Sequence, residues 1–227
     1  MNRTIHVLLS VAVILIVTGT TACRKGEEQM AQTAQENVNA GPQVRFTLMP
    51  KEQTGVLFTN SLKEDYIYNI LSYWSLYNGN GVAIGDVNND TWPDFYVTSS
   101  FGPNRLYINL GNFQFLDATR MAGVPAPEGY KSGVSMADVN GDGLLDIYVC
   151  RTGRAEDKNK TNHLFINKGN QSYKGIPIPV FEDKAVEMGL DDNSTSNYAC
   201  FFDMDKDGDL DLFLLNHRID FPDAAKI

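Results

Sequence analysis

Three stretches of the chain place oxygen-bearing side chains at positions 1, 3, 5 and 9 of a nine-residue segment. They are Asp86, Asn88, Asp90 and Asp94; Asp138, Asn140, Asp142 and Asp146; and Asp203, Asp205, Asp207 and Asp211. Carboxylates at this density repel one another unless a hard cation sits among them. Ca²⁺ takes about six to eight oxygens in a flexible cage that commonly includes one backbone carbonyl. That carbonyl falls at position 7, on Trp92, Leu144 and Asp209. An EF-hand opens in the same way but closes with Glu at position 12 and lies between helices. Position 12 here is Val97, Val149 and Leu214, so the Asp at position 9 must close each cage. Asp/Asn/Gly-rich segments also form plain turns without an ion, and it is the threefold recurrence in one context that favours the cation. Gly143 and Gly208 fill position 6, where a sharp turn wants φ > 0, but Thr91 stands there in the first loop. The first loop is therefore expected to bind more weakly.

The elements that carry these loops read as strands. Gly81–Gly85, Asp94–Thr98, Arg105–Asn109 and Phe113–Asp117 are short, rich in β-branched and aromatic residues, and bounded by Gly and Asn. The same order recurs. Leu106-Tyr107-Ile108-Asn109 matches Leu164-Phe165-Ile166-Asn167, and Phe115-Leu116-Asp117 matches Phe181-Glu182-Asp183. Offsets between the copies grow from 52 to 58 to 66 residues, which places insertions in Thr152–Thr161 and Gln171–Pro179. Four short strands in about 45 residues is the size of a β-propeller blade. The fold class is therefore all-β: blades of four antiparallel strands with Ca-binding loops, over about 81–124, 133–190 and 198–227, the last one truncated. Closed propellers need about four to eight blades, so the chain reads as an incomplete propeller, the N-terminal piece of a longer protein. Thr54–Phe58 is expected to be a strand, with Phe46–Asn80 supplying an outer strand to the last blade.

This pattern resembles the FG-GAP/VCBS repeat family, related to the propeller of integrin α subunits, over roughly Phe46 to Phe221. Gly-Val-x-x-x-Asp-x-Asn-x-Asp followed by Leu-Tyr/Phe-Ile-Asn-x-Gly-Asn is similar to bacterial exported proteins that carry a C-terminal ASPIC/UnbV domain. The resemblance implies Ca²⁺ in each blade. The implied ligands are Asp86, Asn88, Asp90, Trp92 (carbonyl) and Asp94; Asp138, Asn140, Asp142, Leu144 (carbonyl) and Asp146; and Asp203, Asp205, Asp207, Asp209 (carbonyl) and Asp211.

The 227 residues are 43% hydrophobic and include 12 Phe and 10 Tyr, enough for a sizeable core. The net charge is −9, and 11 of the 28 acidic residues lie in the three loops. With no basic patch and the wrong sign of charge, nucleic acid is excluded as the expected partner. At the N-terminus, Arg3 precedes the apolar run Val7–Val17, which is too short to span a bilayer and reads as a signal peptide over 1–22. Thr20-Thr21-Ala22-Cys23 resembles a lipoprotein signal in which Cys23 is lipidated, although Thr20 stands where Leu is usual; ordinary cleavage after Ala22 is the alternative. Residues 23–45 are polar and read as a tether. The expected location is exported and lipid-anchored to the bacterial outer membrane. Export permits a disulfide between Cys150 and Cys200, but both lie in apolar strands and read as small buried side chains.

No catalytic constellation emerges. His163 and His217 read as structural, no phosphate loop or Zn-type Cys/His cluster is present, and the carboxylate pairs all fall inside the proposed cages. The expectation is a non-enzymatic calcium-binding scaffold or binding module recognising a protein or glycan, with Tyr66–Tyr77 as a possible sugar-stacking surface. The alternative is part of a polysaccharide-degrading enzyme whose catalytic residues lie outside this segment.

Overall fold

The computed structural model describes residues 46–127, 129–154, 157 and 160–217. The expected signal peptide, Cys23, the tether and the end of the third repeat (218–227) lie outside them. The described residues from Met49 onward form one compact unit. Among the described residues, no helix is long and apolar enough to cross a membrane.

Among the described residues, ten strands form three antiparallel sheets, and the fold is all-β and propeller-like. The first sheet is β1 (Val82–Gly85), β2 (Asp94–Val97), β3 (Arg105–Asn109) and β4 (Phe115–Asp117), paired in that order. The second is β5 (Tyr130–Ala137), β6 (Asp146–Thr152), β7 (His163–Tyr173) and β8 (Ile176–Asp183), again in sequence order. The third comprises β9 (Ser196–Phe202) and β10 (Asp211–Asn216). The sheets do not close a ring. Each acidic loop joins the first two strands of its sheet, and the pairing starts at position 9: Gly85 opposite Asp94, Ala137 opposite Asp146, Phe202 opposite Asp211.

The first strands lie side by side, β1 against β5 and β5 against β9. Glycine makes this possible. A Cβ on Gly81 would lie 2.6 Å from the Val134 nitrogen, and one on Gly133 would lie 2.3 Å from the Asn197 carbonyl oxygen. Between the sheets sit two apolar layers. Tyr96, Leu106 and Ile108 of the first sheet pack with Val134, Ile147, Val149 and Phe165 of the second. Tyr148, Leu164 and Ile166 then pack with Ala199, Phe201, Leu212 and Leu214 of the third.

A buried polar clamp repeats inside these layers. The Tyr96 hydroxyl donates to the Val124 carbonyl at 2.7 Å and accepts from Asn104 Nδ2 at 2.8 Å. Tyr148 donates to the Leu190 carbonyl at 2.8 Å and accepts from Asn162 Nδ2 at 3.0 Å. Each Asn also accepts a backbone N–H, from Ser99 and Arg151 respectively. The clamp satisfies polar groups that would otherwise be stranded in the core.

Several expectations change. Thr54–Phe58 is not a strand: after Pro50 the chain makes one helical turn, Lys51–Thr54, which Gly55 ends at φ 73. Residues 46–80 contain no strand. The segment instead reaches the first blade through Asn60, whose Nδ2 donates to Ser100 Oγ at 3.1 Å and whose Oδ1 accepts from the Ser100 amide at 2.9 Å. β4 starts at Phe115 because Asn112 and Phe113 both take positive φ in the preceding turn. Within Tyr66–Tyr77, Tyr73 and Leu76 are core, Tyr68 packs edge-on against Phe101, and Tyr66 is exposed. Cys150 is buried as expected, but Cys200 is exposed, and both are free thiols. Burial alternates from Tyr198 to Phe202 in β9, and Cys200 falls one residue after the buried Ala199.

Candidate metal centres

The three loops share one backbone course. Position 4 has positive φ in each (Asn89 56°, Gly141 70°, Lys206 66°), and so does position 6 (Thr91 77°, Gly143 84°, Gly208 97°). This double left-handed turn folds the carboxylate at position 1 back over the loop's own amides. Asp86 accepts from the amides of Asp90 and Thr91 at 3.0 and 2.7 Å. Asp138 accepts from Asp142 and Gly143 at 3.0 and 2.8 Å, and Asp203 from Lys206 and Gly208 at 2.6 and 3.3 Å. In the first loop, β-branched Thr91 holds a conformation natural to glycine. Thr91→Gly is expected to raise stability by about 1 kcal/mol, measured by chemical denaturation.

The position-9 carboxylates behave differently. Asp94 and Asp146 are buried. Asp94 accepts from the amides of Val87 (3.1 Å) and Asn109 (2.7 Å), and Asp146 from those of Val139 (3.0 Å) and Asn167 (2.8 Å). Burial pushes the Asp94 carboxyl up to about 7, against the opposing pull of those amides and with a further push from Asp90 and Asp86. Asp146 is raised for the same first reason, burial. Neighbouring negative charge at both sites makes a cation the natural complement.

Position 3 separates the loops. Asn88 and Asn140 occupy it in the first two, and their amides donate to Asp90 and Asp142 at 2.9 and 3.0 Å. In the third loop Asp205 stands there, and carboxylate oxygens of Asp203, Asp205 and Asp211 lie within 4.8 Å of one another. Asp207 and Asp209 interact beside them: the Asp209 amide holds the Asp207 carboxyl down, while the hydrogen bond with Asp207 pushes Asp209 up. An all-oxygen donor set converging this closely fits a hard divalent cation. Trp92, whose carbonyl is at position 7, has an exposed ring that lies over Gly111.

Both described histidines are hydrogen-bonded to other side chains. His163 Nδ1 is 2.6 Å from Asp183 and its ring stacks on Phe165. His217 Nδ1 is 2.9 Å from Asn197 Oδ1.

Three loops of one geometry thus join the first two strands of successive sheets. Residues 86–149 match the FG-GAP-like repeat family. The match begins at position 1 of the first loop and ends just beyond the second, so it contains two of the three loops. Cartilage acidic protein 1 of Mus musculus and of Homo sapiens are each 39% identical to this chain over 69 residues. The Xenopus tropicalis protein of that name is 36% identical over 69 residues. These alignments cover 30% of this chain and 10 or 11% of each relative, so the chain spans about a tenth of the length of the curated relatives it matches.

The sequence missed the loop supports contributed by other elements. Asn109 and Asn167 were visible as a repeated Ile-Asn, but their role was not. The amide nitrogen of each binds the position-9 carboxylate of its own sheet's loop, and each side chain donates to the carbonyl at position 8, Pro93 or Leu145.

Proposed function

We propose that this chain is a calcium-stabilised, non-catalytic binding module, exported and held at the cell envelope through Cys23, that presents propeller loops to a protein or glycan. The observation that carries the calcium part is the threefold repetition of one loop geometry, with Asp203, Asp205 and Asp211 converging in the third. When bound, Ca²⁺ supplies charge compensation and fixes the loop. The protein's own residues do the rest: the side-chain oxygens at positions 1, 3 and 5 would hold the ion, and the position-9 carboxylates, buried in the first two loops, would close the cages and tie them to the sheets. Because the ion favours the folded chain, its binding free energy adds to stability.

Terbium luminescence tests this reading. Trp92 lies within the first loop and sensitises a lanthanide bound there. Emission should rise on titration, fall when Ca²⁺ competes, and vanish in Asp90→Ala. A folded chain that gives no emission would remove the calcium assignment of the first loop.

A further inference from the structure

The insertion in the second copy builds a long hairpin, β7–β8, and its base reaches across to the first blade's acidic loop. Asn167 is buried, and its backbone amide and both side-chain polar atoms are engaged. Its amide nitrogen donates to Asp146 Oδ1 in the second loop at 2.8 Å. Its side-chain Nδ2 donates to the Leu145 carbonyl in the same loop at 3.2 Å and to the Val87 carbonyl in the first loop at 2.8 Å. Its Oδ1 accepts from the Gly169 amide at 3.0 Å, which fixes the rotamer.

Further along the hairpin, Asn170 Nδ2 donates to the Asn88 carbonyl at 2.8 Å, and Asn88 Nδ2 donates back to the Pro177 carbonyl at 3.0 Å. Asn88, at position 3 of the first loop, is therefore gripped on both its backbone and its side chain by the neighbouring blade. Asn89 adds a direct link to the Gly143 carbonyl at 3.3 Å.

We propose that Asn167 and Asn170 are positioning residues that couple the first and second acidic loops, so that a cation in one raises the affinity of the other. The proposal rests on the calcium reading above. Its physical basis is shared ordering. A cation held by Asp146 fixes the peptide of Asn167, and with it the carbonyls of Val87 and Asn88. The first loop then loses less freedom when its own cation arrives. By linkage, the effect is reciprocal. It also offsets the weakness that Thr91 introduces into the first loop.

The test is a terbium titration of the chain, with first-loop occupancy read by emission sensitised through Trp92 and Asp90→Ala as the blank. Asp142→Ala, which disables the second loop, should weaken first-loop affinity at least about fivefold. In an Asn167→Ala background, Asp142→Ala should have no further effect. Asn170→Ala changes an exposed residue and provides the same comparison if Asn167→Ala fails to fold; there the coupling should shrink. First-loop affinity unchanged by Asp142→Ala overturns the coupling and leaves the calcium reading standing. Coupling of full size in the hairpin variants overturns the role given to these residues. Folded protein without any emission overturns a cation in the first loop, and the coupling with it, while melts that are the same in calcium and in chelator overturn the calcium reading as a whole.

Discussion

Gly133→Ala is expected to destabilise the chain by about 3 kcal/mol, the upper part of the range for overpacking. The added Cβ would sit 2.3 Å from the Asn197 carbonyl oxygen and 3.1 Å from the Tyr198 Cα. Both are backbone atoms of the neighbouring inner strand, so no rotamer change relieves the clash. β5 and β9 must separate, and the layer holding Tyr148, Leu164 and Ala199 loosens with them. In a protein of this size the loss corresponds to a fall of roughly 6–12 °C in Tm. Gly189→Ala is the control. Nothing lies within 4 Å of its Cβ position, and only its φ of 68° opposes a side chain, so the expected loss is about 1–2 kcal/mol. Equal losses in the two variants would contradict the close inter-sheet contact.

The second large effect separates the anchor of a loop from its cage. Asp146→Ala strands the amides of Val139 and Asn167, whose acceptor is a buried carboxylate. At about 1–3 kcal/mol for each unsatisfied buried donor, the expected loss is about 3 kcal/mol, and it should already be present in chelator. Asp142→Ala alters an exposed side chain whose contacts stay within its own loop. In chelator its loss should stay under about 1 kcal/mol, while in calcium it should forfeit the stabilisation contributed by the second loop. Denaturant curves for both variants with and without calcium make the comparison. A small loss for Asp146→Ala in chelator would show that position 9 acts only as a cation ligand.

How much of this was legible in the sequence follows from the range of the interactions. The acidic loops and their flanking strands depend on neighbours within about ten residues, and the spacing of Asp, Asn and Gly carried them directly. β3 was read to its exact bounds because the apolar run Leu106-Tyr107-Ile108 lies between polar and turn residues. Features set by packing between sheets were not legible. Gly81 and Gly133 looked like strand boundaries, whereas their function is to let inner strands approach, a contact reaching 64 residues along the chain at Gly133 and Asn197. The Tyr96–Asn104 and Tyr148–Asn162 clamps were hidden because tyrosine in a strand and asparagine in a loop are each unremarkable alone. Thr54–Phe58 was misread because β-branched and aromatic residues outweighed Pro50 and Gly55, which decide the local turn.

The most direct test of the calcium assignment is thermal unfolding of the chain in calcium and in chelator. At about 10 mM calcium, a weak extracellular-type site with Kd of about 10⁻⁴–10⁻³ M contributes roughly 1.4–2.7 kcal/mol. Three such sites should raise Tm by at least about 8 °C, with the gain reduced in Asp142→Ala and in Asp205→Ala. Superimposable melts in calcium and chelator, from a chain that unfolds cooperatively in both, would contradict the account and leave the three loops as turns.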